Sequence, residues 1–63
     1  MKAGDLVKDV NTPSLGVGIL LREPFVSWEW YENGQSGALV CEAFWSKVGE
    51  VRMRRAKWVE KIK

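Results

Sequence analysis

Apolar and polar residues alternate with the two-residue period of β-strands from Ala38 to Arg55, and the rest of the chain is organised around this stretch. The pattern predicts a β-hairpin that bends about Ser46 to Gly49. One face of the hairpin is apolar and the other is polar, so we expect half-buried strands. The predicted buried face carries Leu39, Cys41, Ala43 and Trp45 on the first strand and Val51 and Met53 on the second, and the predicted solvent face carries Glu42, Arg52 and Arg54.

Shorter apolar stretches on both sides of this hairpin predict the strands that cover it, because a lone hairpin is marginal in water. Pro13 and Pro24 interrupt the chain, Asn33-Gly34 is typical of a tight hairpin turn, and Gly16 and Gly18 indicate a bend or a close backbone approach. The predicted strands are Asp5 to Val10, Gly16 to Arg22 with Val17, Ile19 and Leu21 on one face, Phe25 to Tyr31 with Val26, Trp28 and Trp30 on one side, and Trp58 to Ile62, which follows a 3₁₀ turn at Ala56-Lys57 and inserts Val59 and Ile62.

These stretches predict an all-β fold, namely a small barrel of about five short antiparallel strands. We expect one domain over residues 1–63 and no helix longer than one turn. A domain of this size buries only about 60% of the surface of its unfolded chain, so each large buried aromatic side chain contributes strongly to stability. We expect Trp45 to be such a core residue, and we expect Asn11 to Ser14 to form a surface loop.

The composition indicates a soluble protein of a reducing cytoplasm. The single cysteine cannot form an internal disulfide, and Cys41 is expected to be an inert core residue. No apolar run approaches the roughly 20 residues of a membrane helix, and the N-terminus lacks a signal peptide's apolar region. The net charge of +2 is unevenly distributed, because residues 1–46 carry −3 and residues 47–63 carry +5. This asymmetry suggests an acidic partner for the basic half, although the two halves could also neutralise each other.

Nothing in the sequence indicates catalysis, a metal or a cofactor. The chain has no histidine, so the usual general base at neutral pH is missing and Cys41 has no imidazole to activate it. One cysteine without histidine excludes the usual zinc ligand sets. Gly16-x-Gly18 lacks the third glycine and the lysine of a phosphate-binding loop. We therefore expect a protein that is not an enzyme and that has no small-molecule cofactor.

Four segments of the chain carry a family resemblance. They are Gly4-Asp5-Leu6-Val7, Gly16-Val17-Gly18-Ile19, Phe44-Trp45-Ser46 with Gly49-Glu50-Val51, and Trp58-Val59-Glu60-Lys61-Ile62. Together they resemble successive strands of small SH3-like barrels. The nearest group is the very short SH3-like proteins encoded by bacteriophages, and the first two segments also resemble KOW-type barrels. The resemblance covers nearly the whole chain and implies an SH3-like barrel in the cytoplasm of a phage-infected bacterium. The sequence departs from the family at Phe25 to Tyr31, an aromatic hairpin insert that lengthens the connection between the second and third strands.

Two sets of side chains are candidate binding sites. Trp28, Trp30 and Tyr31 cannot all be buried in so small a protein, and exposed aromatic residues favour a protein partner or self-association. The basic set, Lys47, Arg52, Arg54, Arg55 and Lys57, is expected to contact phosphates of a nucleic acid or to be a solvated surface.

The sequence therefore predicts a non-enzymatic binding module that acts on a protein partner in a phage or bacterial assembly. Two alternatives are a nucleic-acid-binding barrel that uses the basic C-terminal strand, and a structural homo-oligomeric subunit. The acids of the aromatic insert, Glu23, Glu29 and Glu32, favour a protein over a phosphate backbone.

Overall fold

A curled antiparallel sheet makes up the fold in the computed structural model, which describes residues 1–32 and 34–62. The all-β prediction is confirmed, with six strands where the sequence predicts about five. No α-helix occurs in these two ranges, and two 3₁₀ turns lie at Pro13–Leu15 and Ala56–Trp58. The strands are β1 (Leu6–Asp9), β2 (Val17–Leu20), β3 (Phe25–Glu32), β4 (Gln35–Trp45), β5 (Glu50–Arg55) and β6 (Val59–Lys61).

The central strand of the sheet is β4, which pairs with three others. The hydrogen-bonded neighbours follow the order β3-β4-β2-β1-β6. The strand β5 also pairs with β4, on the edge opposite β2 and β3. The strands β2 and β3 follow one another along the same edge of β4, and the break between them contains Pro24, which has no backbone N–H for a ladder. The predicted hairpin is confirmed, since β4 and β5 are joined at residues 46–49 and the Gly49 N–H donates to the Trp45 carbonyl at 2.8 Å.

The core lies on the inner face of the sheet and is built around Trp45. This side chain is fully buried, and its Nε1–H donates to the Arg52 carbonyl oxygen at 3.2 Å. A Cβ atom on Gly18 would lie 2.6 Å from the Trp45 ring, so the predicted close approach at this glycine is confirmed. The core cluster consists of Val7, Leu15, Leu20, Cys41, Ala43, Trp45 and Val59.

The prediction that Val51 and Met53 form the buried face of β5 is wrong. Residues opposite each other in an antiparallel pair share a face, and Arg52 and Arg54 stand opposite Ala43 and Cys41. The two arginines therefore lie on the inner side, and Val51, with half of its surface exposed, lies on the outer side. Met53 also lies on the outer side, opposite Glu42, and is only partly exposed.

Leu39 is likewise exposed although the alternation predicts it to be buried. At this position β4 does not pair with β2. Leu39 stands opposite Val26 of β3 and lies outside the core cluster. The buried neighbours are Ala38 and Val40 instead. Val40 stands between Phe25 and Arg55 in the register, so it is covered from both adjacent strands.

The segments outside the central hairpin agree with the prediction except at their ends. The residues expected to form a surface loop include the first 3₁₀ turn, which buries Leu15 in the core. The final strand is shorter than predicted and buries Val59, whereas Ile62 is only partly buried. In the Asn33-Gly34 turn, Gly34 has the expected positive φ of 77°, and Asn33 lies outside the described residues.

Candidate interaction surfaces

A row of apolar side chains crosses four strands on the outer face of the sheet. Leu6 stands opposite Ile19, Ile19 opposite Phe44, and Phe44 opposite Val51, so the four side chains are neighbours on one face. Each has 40 to 50% of its surface exposed. We call these four residues the outer row.

The outer row exists because the inner side of β2 is occupied by the core. Gly18 must lack a side chain to admit Trp45, and Leu20 fills the rest of the inner face. Val17, Ile19 and Leu21 do share one face, as predicted, but that face is the outer one.

With Val17 and Leu21, the outer row exposes apolar area on the order of 500 Å², which is near the upper end for the largest patch on a monomer. Among the described residues, Lys8 and Glu60 flank the row on one side and Glu42 flanks it on the other. An uncharged apolar centre with a charged rim is typical of protein interfaces.

The aromatic set of β3 is divided between two places. Trp28 and Tyr31 are 72% and 66% exposed, which confirms that at least one member is exposed. The Trp28 ring lies over Gly37, where a Cβ atom would be 2.7 Å from the ring. The register between β3 and β4 shifts between Ser27 and Tyr31, and this irregularity separates Trp30 from Trp28.

The alternation predicts that Trp30 shares one side of β3 with Val26 and Trp28. This prediction is wrong for Trp30. Its ring is only partly exposed and lies 5.4 Å from the Arg55 guanidinium carbon. Arg55 stands opposite Val40, and Val40 stands opposite Phe25, so this contact lies on the other face of the hairpin.

The basic set does not form one stripe. Arg52 makes a half-exposed ion pair with Glu50 at 2.6 Å. Arg54, predicted to face solvent, instead donates from Nε to the buried Asp9 carboxylate at 2.6 Å and from its terminal nitrogen to Thr12 Oγ1 at 2.8 Å. Its side chain is 23% exposed and that of Asp9 is fully buried. The solvent-facing prediction is therefore wrong for Arg54.

Three of the predicted basic residues surround the Trp58 ring. The guanidinium carbons of Arg54 and Arg55 lie 5.3 and 5.5 Å from its centroid, and Lys57 Nζ lies at 5.9 Å. Arg55 contacts Trp30 as well, so one arginine joins the aromatic and basic sets. Lys47 is far from this cluster, in the turn between β4 and β5.

Asp9 holds the loop after β1 in place, a role that the sequence analysis does not predict. Its Oδ1 accepts hydrogen bonds from the backbone N–H groups of Asn11 and Thr12 at 2.8 and 2.9 Å, while Oδ2 accepts from Arg54. The local signal is an Asx turn, since an aspartate followed by Val-Asn-Thr can bond the backbone two and three residues on. The arginine partner is 45 residues away in sequence, which no local pattern indicates.

A groove of about 630 Å³ opens between this loop and the β4–β5 turn, and the sequence analysis does not predict it either. The aliphatic stem of Lys47 lies across Gly16, where a Cβ atom would be 2.7 Å from Lys47 Cγ. Backbone bonds from Lys47 to Leu15 and from Ser46 to Val17 hold the turn against the loop. We call this the basic groove; it is lined by Lys8, Asp9, Val10, Pro13, Gly16, Val17, Ser46, Lys47 and Ile62.

The buried thiol is not a candidate nucleophile. Burial raises the pKa of Cys41, which keeps the thiol protonated and unreactive. Within residues 1–32 and 34–62, no group of cysteine and acidic side chains is arranged to hold a metal ion. The described part of the chain also contains no helix that is long and apolar enough to cross a membrane.

Comparison with protein-family models, with curated proteins and with solved structures gives no significant match.

Proposed function

We propose that the protein is a non-enzymatic binding module that holds a protein partner against the outer row, in the cytoplasmic assembly of a phage or a bacterium. As the fold family we propose the SH3-like barrels. The pairing of β1 with both β2 and β6, and the 3₁₀ turn before the last strand, are compatible with that family.

The observation that carries this proposal is the outer row. Four apolar side chains lie side by side on four strands, although the fold already has a filled core on the opposite face. Exposed apolar area of this extent has no stabilising role in an isolated domain, and contiguous patches of this size mark interaction sites. Burying the row against a partner removes that apolar area from water, which favours binding by about 25 cal/mol for each Å² buried.

The test replaces exposed apolar atoms of the outer row by hydroxyls and keeps a β-branched side chain at each position. We expect Ile19→Thr with Val51→Thr to retain the fold, because both positions are about half exposed and threonine keeps the β-branched geometry. Capture of partner proteins from a bacterial lysate, treated with nuclease and quantified by mass spectrometry, should fall several-fold.

The matched control is Val48→Thr, which makes the same change in the β4–β5 turn, away from the row. It should capture the same proteins as the wild type. Equal capture by all three proteins, with equal thermal unfolding transitions, would exclude the outer row as the binding surface.

A second candidate function, nucleic-acid binding, is favoured by the cluster around Trp58. Arg55 lies between the Trp58 and Trp30 rings, and Lys57 is adjacent. Aromatic rings beside cations are used to stack unpaired bases and to contact phosphates. Because Arg54 is occupied by Asp9, Arg55 and Lys57 leave about two phosphate contacts, and we expect a slope of log affinity against log salt of about −1.4.

This alternative is tested with fluorescent single-stranded oligonucleotides over a salt series. Binding should be abolished by Arg55→Glu with Lys57→Glu and retained by the charge-matched control Lys47→Glu with Arg52→Glu, whose residues lie elsewhere. Absence of binding at the lowest salt, or equal loss in both double variants, would exclude the cluster.

A further inference from the structure

Two exposed surfaces of complementary character lie at opposite ends of β4. The basic groove adjoins the turn that follows Trp45. The aromatic hairpin, which is the insert Phe25 to Tyr31 of β3, adjoins the beginning of β4, where Tyr31 stands opposite Ser36. With a rise of about 3.4 Å per residue, an eleven-residue strand keeps the two surfaces on the order of 30 Å apart. The longest dimension of the molecule is 30 Å. One copy of the chain therefore cannot join its own two surfaces.

The basic groove has an apolar floor and a positive rim. Val10, Pro13, Val17 and Ile62 supply the apolar part. Among the described residues of the lining, Asp9 is the only acid, and its carboxylate is buried and bonded to Arg54 and to the loop backbone.

Of the two lysines at the rim, Lys47 is the better placed to bind an acid. Lys8 stands opposite Glu60 in the β1–β6 register, which partly offsets its charge. The stem of Lys47 lies across Gly16, and both residues line the groove. The groove thus fits a large apolar side chain with a carboxylate beside it.

The aromatic hairpin presents that combination. Trp28 is the most exposed large apolar side chain among the described residues, Tyr31 is nearly as exposed, and Glu29 between them is exposed. One face of the Trp28 ring lies on Gly37, and most of the surface of Trp28 is exposed to solvent. An indole ring is small enough for a groove of about 630 Å³.

We propose that the basic groove binds the aromatic hairpin of a second copy of this chain, with Trp28 in the groove and Glu29 against Lys47. The contact joins two different surfaces. It can extend head-to-tail into chains or rings, or close reciprocally between two antiparallel copies, because each copy carries both surfaces. A standard interface involves about 20 to 30 residues on each side, and this contact involves far fewer, so association rises with protein concentration and falls with salt. The inference does not rest on the proposed function, because none of the four residues of the outer row lines the groove, although the neighbouring Val17 does.

Sedimentation of the wild type and three single variants tests the contact. The weight-average mass of the wild type should rise with concentration, whereas Trp28→Ser, Glu29→Lys and Lys47→Glu should each sediment as monomers with unchanged circular dichroism. These positions are exposed, so the substitutions leave the core intact. Lys2→Glu and Glu23→Lys, which change the same charges at exposed positions elsewhere, should associate like the wild type.

Mixing two defective variants gives a stricter test. Glu29→Lys and Lys47→Glu place like charges at the contact when each is alone, but opposite charges meet when they are mixed. The equimolar mixture, and the double variant by itself, should recover most of the wild-type association. A wild type that is monomeric at every concentration overturns the inference, as does failure of the mixture to recover.

The result for the outer row separates this inference from the proposed function. If Ile19→Thr with Val51→Thr abolishes self-association and Trp28→Ser does not, copies associate through the outer row, and the groove contact is overturned. If only the groove and hairpin variants affect association, the groove contact is supported, whatever the outcome of partner capture.

Discussion

The contact between Gly18 and Trp45 determines which side of the sheet becomes the core. Glycine is required at position 18 because the indole ring occupies the space of a Cβ atom, and this ring is the largest fully buried side chain. The aliphatic residues on either side of Gly18 must then point outward. One missing side chain thus accounts for both the core and the outer row.

A methyl group at this contact should be costly. Gly18→Ala forces the Trp45 ring to move within a filled core, and such overpacking lowers the free energy of unfolding by about 1 to 3 kcal/mol. Val17→Ala, one residue earlier on the outer face, is the control. Urea denaturation measures both, and a Gly18→Ala variant as stable as the wild type would show that the ring moves freely.

Asp5 makes the stability of the N-terminal turn depend on pH. The Lys2 backbone N–H donates to its carboxylate at 2.9 Å, and this bond, helped by Lys61, lowers the pKa of Asp5 against a smaller opposing effect of burial. A lowered pKa in the folded state adds stability above the ordinary aspartate pKa of about 3.9, and this contribution is lost as the pH falls through the folded-state value.

The comparison of wild type with Asp5→Asn measures this effect. We expect the variant to have the lower melting temperature at pH 7, and the difference between the two proteins to shrink as the pH falls through the lowered pKa of Asp5, because protonation removes the charge that distinguishes them. A difference in melting temperature that is independent of pH would assign the role of Asp5 to packing rather than to its charge.

At the scale of single elements, the strands could be predicted from the sequence more fully than their faces. Alternation and glycine predict where β4 ends and where β5 begins and ends, whereas β4 begins at Gln35, three residues before the predicted Ala38. Alternation has two phases, however, and hydrophobicity chooses the wrong one for β5. The turn fixes Trp45 opposite Glu50, and this register turns Arg54 inward. Only the folded chain brings Asp9 to that arginine, so the buried pair could not be predicted.

The same limit applies to the candidate sites. The exposure of the aromatic insert could be predicted, because seven aromatic residues exceed the capacity of so small a core. The outer row could not, because it is formed by cross-strand register between four segments. The basic groove depends on a loop and a turn that are far apart in sequence.

The ion pair between Arg54 and Asp9 should stabilise the attachment of β5 to the loop after β1. Arg54→Met leaves a fully buried carboxylate without its charge partner, so we expect a loss of about 3 kcal/mol. Arg52→Met is a control on the same strand and the same face, and it should cost about 0 to 1 kcal/mol because its ion pair is half exposed. Equal costs in urea denaturation would contradict a structural role for the buried pair.

At the scale of the whole molecule, the sheet has two regions that differ in support. Residues 43–45 of β4 lie between β2 and β5, over the core, whereas residues 35–39 pair with β3 alone. The first region has neighbours on both edges and a packed inner face. The second is a two-stranded extension, and two strands alone are marginal in water.

Amide hydrogen exchange along β4 should therefore show a gradient. For a chain of this length the free energy of unfolding is about 3 to 9 kcal/mol, and amides at Ala43 and Trp45 should exchange only through opening events that approach this value. Amides from Ser36 to Gly37 should exchange orders of magnitude faster, because the extension opens while the core stays closed. Uniform protection along the strand would mean that the hairpin and the core unfold as one unit.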